Sequence, residues 1–71
     1  MTREEAIAMA SSAWWVGKTP TEIVRFQINE ELLCIPFSIF HEAVEKVLDR
    51  PVYIHEFAFE KFRTDLRNLV R

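Results

Sequence analysis

Apolar residues recur at helical spacing near the start of the chain, and this pattern predicts a first helix. Thr2 and Glu5 stand at the separation of a capping box, so the helix is predicted to begin here. Its apolar face is predicted to comprise Ile7, Ala10 and Trp14. Gly17 is a suitable residue to end it.

The tandem tryptophans cannot both face the core from one helix. Neighbouring helical residues point about 100° apart. We therefore predict that Trp14 lies in the core and that Trp15 lies at its margin or in an interface.

A second start signal follows directly. Thr19 suits the N-cap, Pro20 the first helical position and Glu22 the reciprocal cap. These residues predict a short helix over 20–27, with Ile23 and Phe26 facing inward. The same segment contains β-branched residues and is also compatible with a strand, but the caps favour the helix.

The strongest helical pattern lies in the middle of the chain. Ser38 is predicted to be the N-cap of a helix over 39–49, which ends before Pro51. Its apolar face comprises Phe40, Ala43, Val44, Val47 and Leu48. Glu42 and Lys46 form an outward i,i+4 pair on its polar face.

The last pattern predicts a C-terminal helix from about His55. Its inward residues are predicted to be Phe59, Phe62, Leu66 and Leu69, with Arg63, Arg67 and Arg71 outward. The segments 33–35 and 52–54 are short, apolar and β-like. We therefore predict one small, mainly α domain over 1–71 with three to four helices, and a short two-stranded β patch (α+β) remains open.

The composition indicates more aromatic surface than a small core can bury. Aromatic residues make up 13% of the 71 residues. A chain of this length buries only about 60% of the surface that it exposes when unfolded. Remaining aromatic surface is typical of contact with another chain. We expect a protein partner, and self-association as a homodimer.

The charges are unevenly distributed along the chain. The net charge is −2, which gives no overall attraction for nucleic acid. The segment 22–60 is mainly acidic, whereas the C-terminus carries Lys61, Arg63, Arg67 and Arg71. These bases complement the dipole of a helix C-terminus. The alternative is that they contact nucleic-acid phosphates.

Candidate catalytic and metal motifs are incomplete. The sequence Gly17-Lys18-Thr19 lacks the upstream glycine of a phosphate-binding loop. His41 and His55 are fourteen residues apart, which is not the spacing of a zinc-protease motif. Cys34 lies in an apolar run that should raise its thiol pKa. We therefore expect no enzyme activity, no cofactor and no metal.

The sequence favours a cytoplasmic protein. A lone cysteine forms no intramolecular disulfide, which fits a reducing compartment. The N-terminal segment carries acidic residues where a signal peptide has basic ones, so it is not predicted to be a signal peptide. No apolar run is long enough to cross a membrane.

The stretch LCIPFSIFHEAVEKVLDRPVYIHEF, residues 33–57, resembles an uncharacterised family of small domains from bacteriophages and prophages. Trp15, Lys18, Phe26 and Gln27 belong to the same resemblance, which covers about 14–58. Residues 59–71 are predicted to be a helical C-terminal extension. Asp49 departs from the family pattern, since glycine is common there, and we expect it to strain the helix end.

The resemblance implies a bacterial host cell but transfers no functional residue. It favours a non-enzymatic accessory protein that binds and inhibits a host factor, such as an antiviral defence nuclease. The predicted partner-binding residues are Trp15, Tyr53, Phe57, Glu30, Glu31, Glu42 and Glu45. One alternative is a small nucleic-acid-binding regulator that uses the basic C-terminal residues. Another is an oligomer that sequesters a signalling nucleotide with its aromatics and with Arg50 or Arg63.

Overall fold

The computed structural model describes residues 1–71 and contains helices but no strand. The elements are α1 (Arg3–Ser11), α2 (Pro20–Ile28), α3 (Phe37–Leu48), a 3₁₀ turn (Ile54–Ala58) and α4 (Glu60–Leu69). The predicted mainly α architecture is therefore confirmed. None of the helices combines the length and apolarity needed to cross a membrane.

Two of the predicted helix starts are confirmed, the first with its complete capping box. Thr2 Oγ1 accepts from Glu5 N, and the Glu5 carboxylate accepts from Thr2 N, which completes the capping box. Thr19 Oγ1 accepts from Glu22 N, so the segment from Pro20 forms a helix and not a strand. The predicted reciprocal cap does not form, because the Glu22 carboxylate accepts from Thr19 Oγ1 and not from Thr19 N.

The predicted N-cap of α3 is wrong. The helix begins at Phe37, and Pro36 occupies the N-cap position without a side-chain hydrogen bond. Ser38 lies inside the first turn. Pro36 O accepts from Ile39 N and Phe40 N, so the helix begins directly after the proline, at a position that needs no backbone N–H of its own.

The end of α3 contains the strain expected at Asp49. This residue adopts the left-handed conformation, with φ of 54°. The backbone N–H groups of Asp49 and Arg50 both donate to Glu45 O, which closes the helix end. A glycine would adopt this conformation without the Cβ penalty.

The core is built mainly where α2 packs against α3 and α4. Its fully buried members include Val24 from α2, Val44 from α3 and Leu66 from α4. Ile35 and Val52 join them from the segments between the helices. Partly buried rings, including Trp14, Trp15, Phe57 and Phe62, surround this cluster.

The β patch left open by the sequence is absent, because side chains bond the backbone groups that a second strand would have paired. The Glu45 carboxylate accepts from Val52 N, and the His41 ring bonds Val52 O. Gln27 Oε1 likewise accepts from Cys34 N, and Trp14 Nε1 donates to Cys34 O. Both backbone groups of each residue are thus satisfied without a sheet.

The first helix is shorter than predicted, and its buried face is different. It ends at Ser11, and the chain then turns through Ala13 and Gly17, both with positive φ. Ala6 is its buried residue, whereas Ile7 is 58% exposed. Trp14 lies beyond the helix, where its ring packs 4.6 Å from that of Phe26.

The final helix begins later than predicted, and its face is rotated. The 3₁₀ turn occupies Ile54–Ala58, and α4 starts at Glu60. Phe59 therefore lies before the first residue of α4 and not on its inward face. Leu66 and Val70 are buried, whereas Phe59 and Leu69, predicted to face inward, are exposed. Arg63, Arg67 and Arg71 face solvent as predicted.

Candidate functional site

The predicted partner-binding residues do not form one surface. Tyr53 lies at the start of the 3₁₀ turn, and Glu30 and Glu31 follow α2. Glu42 and Glu45 lie on α3. The structure brings Glu30, Glu31 and Phe57 together in one depression. The other predicted residues, which are Trp15, Tyr53, Glu42 and Glu45, do not line it.

One exposed apolar region is an aromatic turn, which we define as Tyr53, Ile54, His55 and Phe59. Tyr53 is 69% exposed, Ile54 66% and Phe59 59%. The His55 ring stacks on Tyr53 with centroids 5.6 Å apart and an interplanar angle of 13°. Phe59 meets His55 edge-on, with centroids 6.3 Å apart. Three rings thus form a continuous row on the surface.

This turn is held by charged hydrogen bonds at its start. Glu56 Oε2 accepts from Tyr53 N at 2.9 Å. Both Glu56 oxygens also accept from the Arg50 guanidinium, at 3.1 and 3.2 Å. Arg50 donates in addition to Pro51 O and lies over the Phe62 ring. The aromatic turn is consequently fixed by a network that begins directly after α3.

These hydrogen bonds affect the ionisation of both partners. The pKa of Glu56 lies below its ordinary value, mainly because Arg50 and then Tyr53 N donate to the carboxylate. The pKa of Arg50 is raised by the same carboxylate. The pair therefore stays charged across the neutral range.

Phe57 supports the aromatic turn from below. Its ring lies 5.3 Å from Phe37, 5.7 Å from Phe40 and 5.5 Å from Phe62, and His41 meets it edge-on. It is only partly exposed. The geometry therefore gives Phe57 the position of an anchor between the turn and the core.

Trp15 lies away from the aromatic turn. Its ring meets that of Trp14 edge-on at 6.1 Å, and both pack against the core cluster. Both tryptophans are partly buried, so the predicted distinction between a core Trp14 and a marginal Trp15 is not sharp in the structure.

The two acids predicted on α3 have different surroundings. Glu42 is exposed and pairs with Lys46 at 3.2 Å, as the i,i+4 spacing predicted. The Glu45 carboxylate has partners within the molecule, since its Oε2 accepts from Val52 N and lies 3.7 Å from His41 Nε2. Glu45 and His41 therefore fix the backbone of Val52.

Glu30 and Glu31 line a groove that the sequence did not predict. Two adjoining depressions, of about 320 and 520 Å³, share Ile28, Glu30, Glu31 and Arg63. We call this combined feature the Glu–Arg groove. The smaller depression adds Leu33, Phe37 and Phe57, and the larger adds Glu60 and Arg67. Opposite charges thus stand beside an apolar floor.

The basic C-terminal residues do not form one stripe. Arg63 and Arg67 share a face of α4, where Arg67 Nη2 donates to Ile28 O at 3.2 Å. Lys61 precedes Arg63 by two positions, which places it about 160° around the helix. Arg71 lies beyond the end of α4. The two arginines that do share a face adjoin Glu30, Glu31 and Glu60.

The candidate nucleophile is buried. Cys34 has no exposed surface, and burial, followed by the charge of Glu30, raises the pKa of its thiol as the sequence predicted. No group of three His, Cys, Asp or Glu residues is arranged to hold a metal ion. His41 bonds Val52, and His55 stacks on Tyr53.

Sequence reasoning missed most of the aromatic turn. The sequence predicts that Tyr53 contacts a partner, but it predicts an inward Phe59 and leaves Ile54 in a β-like run that could form a strand. The signal that could have identified the turn is Glu56, three residues after Tyr53, at the spacing of a reciprocal cap. It shortens the β-like run and starts a tight turn in its place.

An open groove of about 600 Å³ lies beside α2, and the sequence does not predict it either. It shares Asn29 and Glu30 with the larger depression of the Glu–Arg groove. It is lined by Trp14, Lys18, Glu22, Arg25, Phe26, Asn29 and Glu30. Arg25 Nε donates to Val70 O at 2.6 Å, which ties α2 to the end of α4. The two acids and two bases of the groove balance, so its charge favours no particular ligand.

Comparison with known proteins identifies one family. A family model described as Domain of unknown function (DUF7736) matches residues 20–71. The match includes α2, α3, the aromatic turn and α4, and it begins after α1. No curated protein and no solved structure matches the chain.

Proposed function

The chain belongs to the DUF7736 family of domains of unknown function, and we propose that it acts by binding another protein through the aromatic turn. One observation carries this proposal. Tyr53, Ile54 and Phe59 are each more than half exposed, although the backbone that bears them is fixed.

The chemistry of the aromatic turn suits a protein contact. Tyrosine and phenylalanine are enriched in interfaces because they bury a large area with few rotatable bonds. A surface already held in its binding conformation loses less entropy on association. The Arg50–Glu56 bridge and the packing of Phe57 support this preorganisation.

We further propose that the role is non-enzymatic and belongs to a phage or prophage setting in a bacterial host. The buried Cys34 thiol with its raised pKa supports a role without covalent chemistry. The phage setting rests on the resemblance of residues 33–57. A host factor such as a defence nuclease is the class of partner that this setting favours.

A capture experiment tests the proposal. The wild-type domain and a Tyr53→Ala/Phe59→Ala variant are immobilised and exposed to bacterial lysate. We expect wild type to retain a specific protein that the variant loses. Ile7→Ala/Val16→Ala is the matched control, since both residues are exposed and lie far from the turn in sequence. It should retain the protein.

Identical sets of captured proteins for wild type and the turn variant would refute the proposal. A gel shift at low salt tests the alternative of nucleic-acid binding. The position of Arg63 and Arg67 beside three carboxylates predicts no shift. Retarded RNA or DNA that depends steeply on salt would favour the alternative instead.

A further inference from the structure

The Glu–Arg groove contains opposite charges that do not pair within the molecule. Glu30 and Glu31 line it with Arg63, yet no ion pair within 4 Å joins them, and the three ion pairs of the structure all lie elsewhere. The groove therefore carries unpaired charges of both signs, and the same groove on a second molecule would offer each of them an opposite charge.

Apolar surface lies next to these charges. Leu33 is 48% exposed at the groove, and Phe57 and Phe37 form its floor. Leu32, immediately before it, is 38% exposed. A patch with an apolar centre and a charged rim has the composition of a protein interface.

We infer that the occupant of the Glu–Arg groove is a second copy of this chain. In a two-fold dimer each patch meets its own copy, so a residue of one protomer contacts a different residue of the other and the contact occurs twice. Arg63 of each protomer would then meet the Glu30 and Glu31 carboxylates across the interface. Two equivalent charged contacts would flank the apolar floor.

This arrangement leaves the aromatic turn available. Tyr53, Ile54 and Phe59 do not line the Glu–Arg groove. A dimer would therefore present two aromatic turns, which raises avidity for a partner with repeated sites. The dimer does not depend on the proposed function, because its charged contacts are made by Glu30, Glu31 and Arg63 and not by the exposed residues of the aromatic turn.

Charge reversal tests the two-fold pairing. In a dimer of Arg63→Glu, the introduced carboxylates would face Glu30 and Glu31. In a dimer of Glu30→Arg/Glu31→Arg, the introduced guanidinium groups would face Arg63. Each variant alone should dimerise at least about tenfold more weakly than wild type, because like charges meet at both contacts. Sedimentation velocity over a concentration series measures the dissociation constants.

The decisive sample is an equimolar mixture of the two variants. In a heterodimer the carboxylate introduced by Arg63→Glu faces the two introduced arginines, and the unchanged Arg63 of the other chain faces Glu30 and Glu31. Both contacts are attractive again, so the mixture should recover the mass of a dimer. A mixture that stays monomeric would overturn the inference, as would wild type that is monomeric at every concentration.

Controls separate this effect from unfolding and from net charge. Lys61→Glu makes the same charge change as Arg63→Glu on another face of α4 and should stay dimeric. Glu4→Arg/Glu42→Arg makes the same charge change as Glu30→Arg/Glu31→Arg outside the groove, and it should also stay dimeric. If circular dichroism shows that a groove variant does not fold, the dissociation constant of the wild-type dimer is measured at rising salt concentrations instead. The dimer should weaken as the charges are screened, and a salt-independent dimer would contradict the charged contact.

The Tyr53→Ala/Phe59→Ala variant distinguishes the two proposals. It should lose its captured protein and remain a dimer. Loss of the dimer in this variant would contradict the assignment of the groove as the self-contact.

Discussion

Side chains bond much of the backbone outside the helices. Gln27 is 5% exposed and bonds both Leu32 O and Cys34 N. His41 and Glu45 bond Val52 on its two sides, and Glu56 bonds Tyr53 N. These residues include the Gln, His and Glu of the motif that carries the resemblance. Their main role in the structure is therefore to fix the chain.

Residue burial could be predicted in part. Phe40, Ala43 and Val44 are buried as the spacing of α3 predicted. The spacing predicts that Ile7 and Leu69 face inward, but both are exposed. The apolar stripe of a surface helix is wide, so an apolar residue at its edge has helical spacing without being buried. Which side faces the core depends on how the helix is docked, and that is determined by the other helices.

The corrected phase of α4 predicts a matched pair of substitutions. Leu66 is 1% exposed and Leu69 is 59% exposed on the same helix. Leu66→Ala should lower the free energy of unfolding by about 2–5 kcal/mol, because it removes buried methyl groups and leaves a cavity. Leu69→Ala should change it by less than about 0.5 kcal/mol. Urea denaturation measures both, and equal losses would contradict the assigned phase.

Helix starts could be predicted more reliably than the connections between helices. The caps at Thr2 and Thr19 depend on neighbouring residues alone, so local sequence is sufficient to locate them. The β-like runs 33–35 and 52–54 depend on distant partners. There α2 and α3 supply Gln27, His41 and Glu45, which removes the need for a second strand.

The aromatic turn should be sensitive to acid through Glu56. Its pKa is lowered in the folded state, so its contribution to stability is complete above the pKa of the unfolded chain. That contribution is lost as the pH falls through the lower, folded pKa. Wild type should therefore lose stability as the pH falls below about 5, where an ordinary glutamate begins to take up protons, and Glu56→Gln should lose less.

Urea midpoints measured across this pH range test the effect. Glu60→Gln is the control, since Glu60 lies in the first turn of α4, outside the Arg50–Glu56 bridge, and it should keep the wild-type slope. Glu5, whose pKa Thr2 lowers, contributes equally to all three proteins. A Glu56→Gln variant with the full wild-type slope would show that the bridge contributes no pH dependence.

At the scale of the whole molecule, the structure separates a supporting region from two surfaces. The core and the backbone-fixing side chains form the support. The aromatic turn and the Glu–Arg groove carry the two proposals, one for a foreign protein and one for a second copy. The prediction of leftover aromatic surface came from composition and chain length. Its location could not be predicted, because it depends on a 3₁₀ turn and on how α4 docks against the other helices.

Site-specific photocrosslinking in a bacterial host tests the central claim, that the aromatic turn contacts another protein. Tyr53 and Phe59 are replaced one at a time by photoreactive p-benzoylphenylalanine, and Ile7 serves as the exposed control. After irradiation, mass spectrometry should identify the same protein attached at Tyr53 and at Phe59 but not at Ile7. Crosslinks that are equally frequent at Ile7, or absent from both turn positions, would contradict the account.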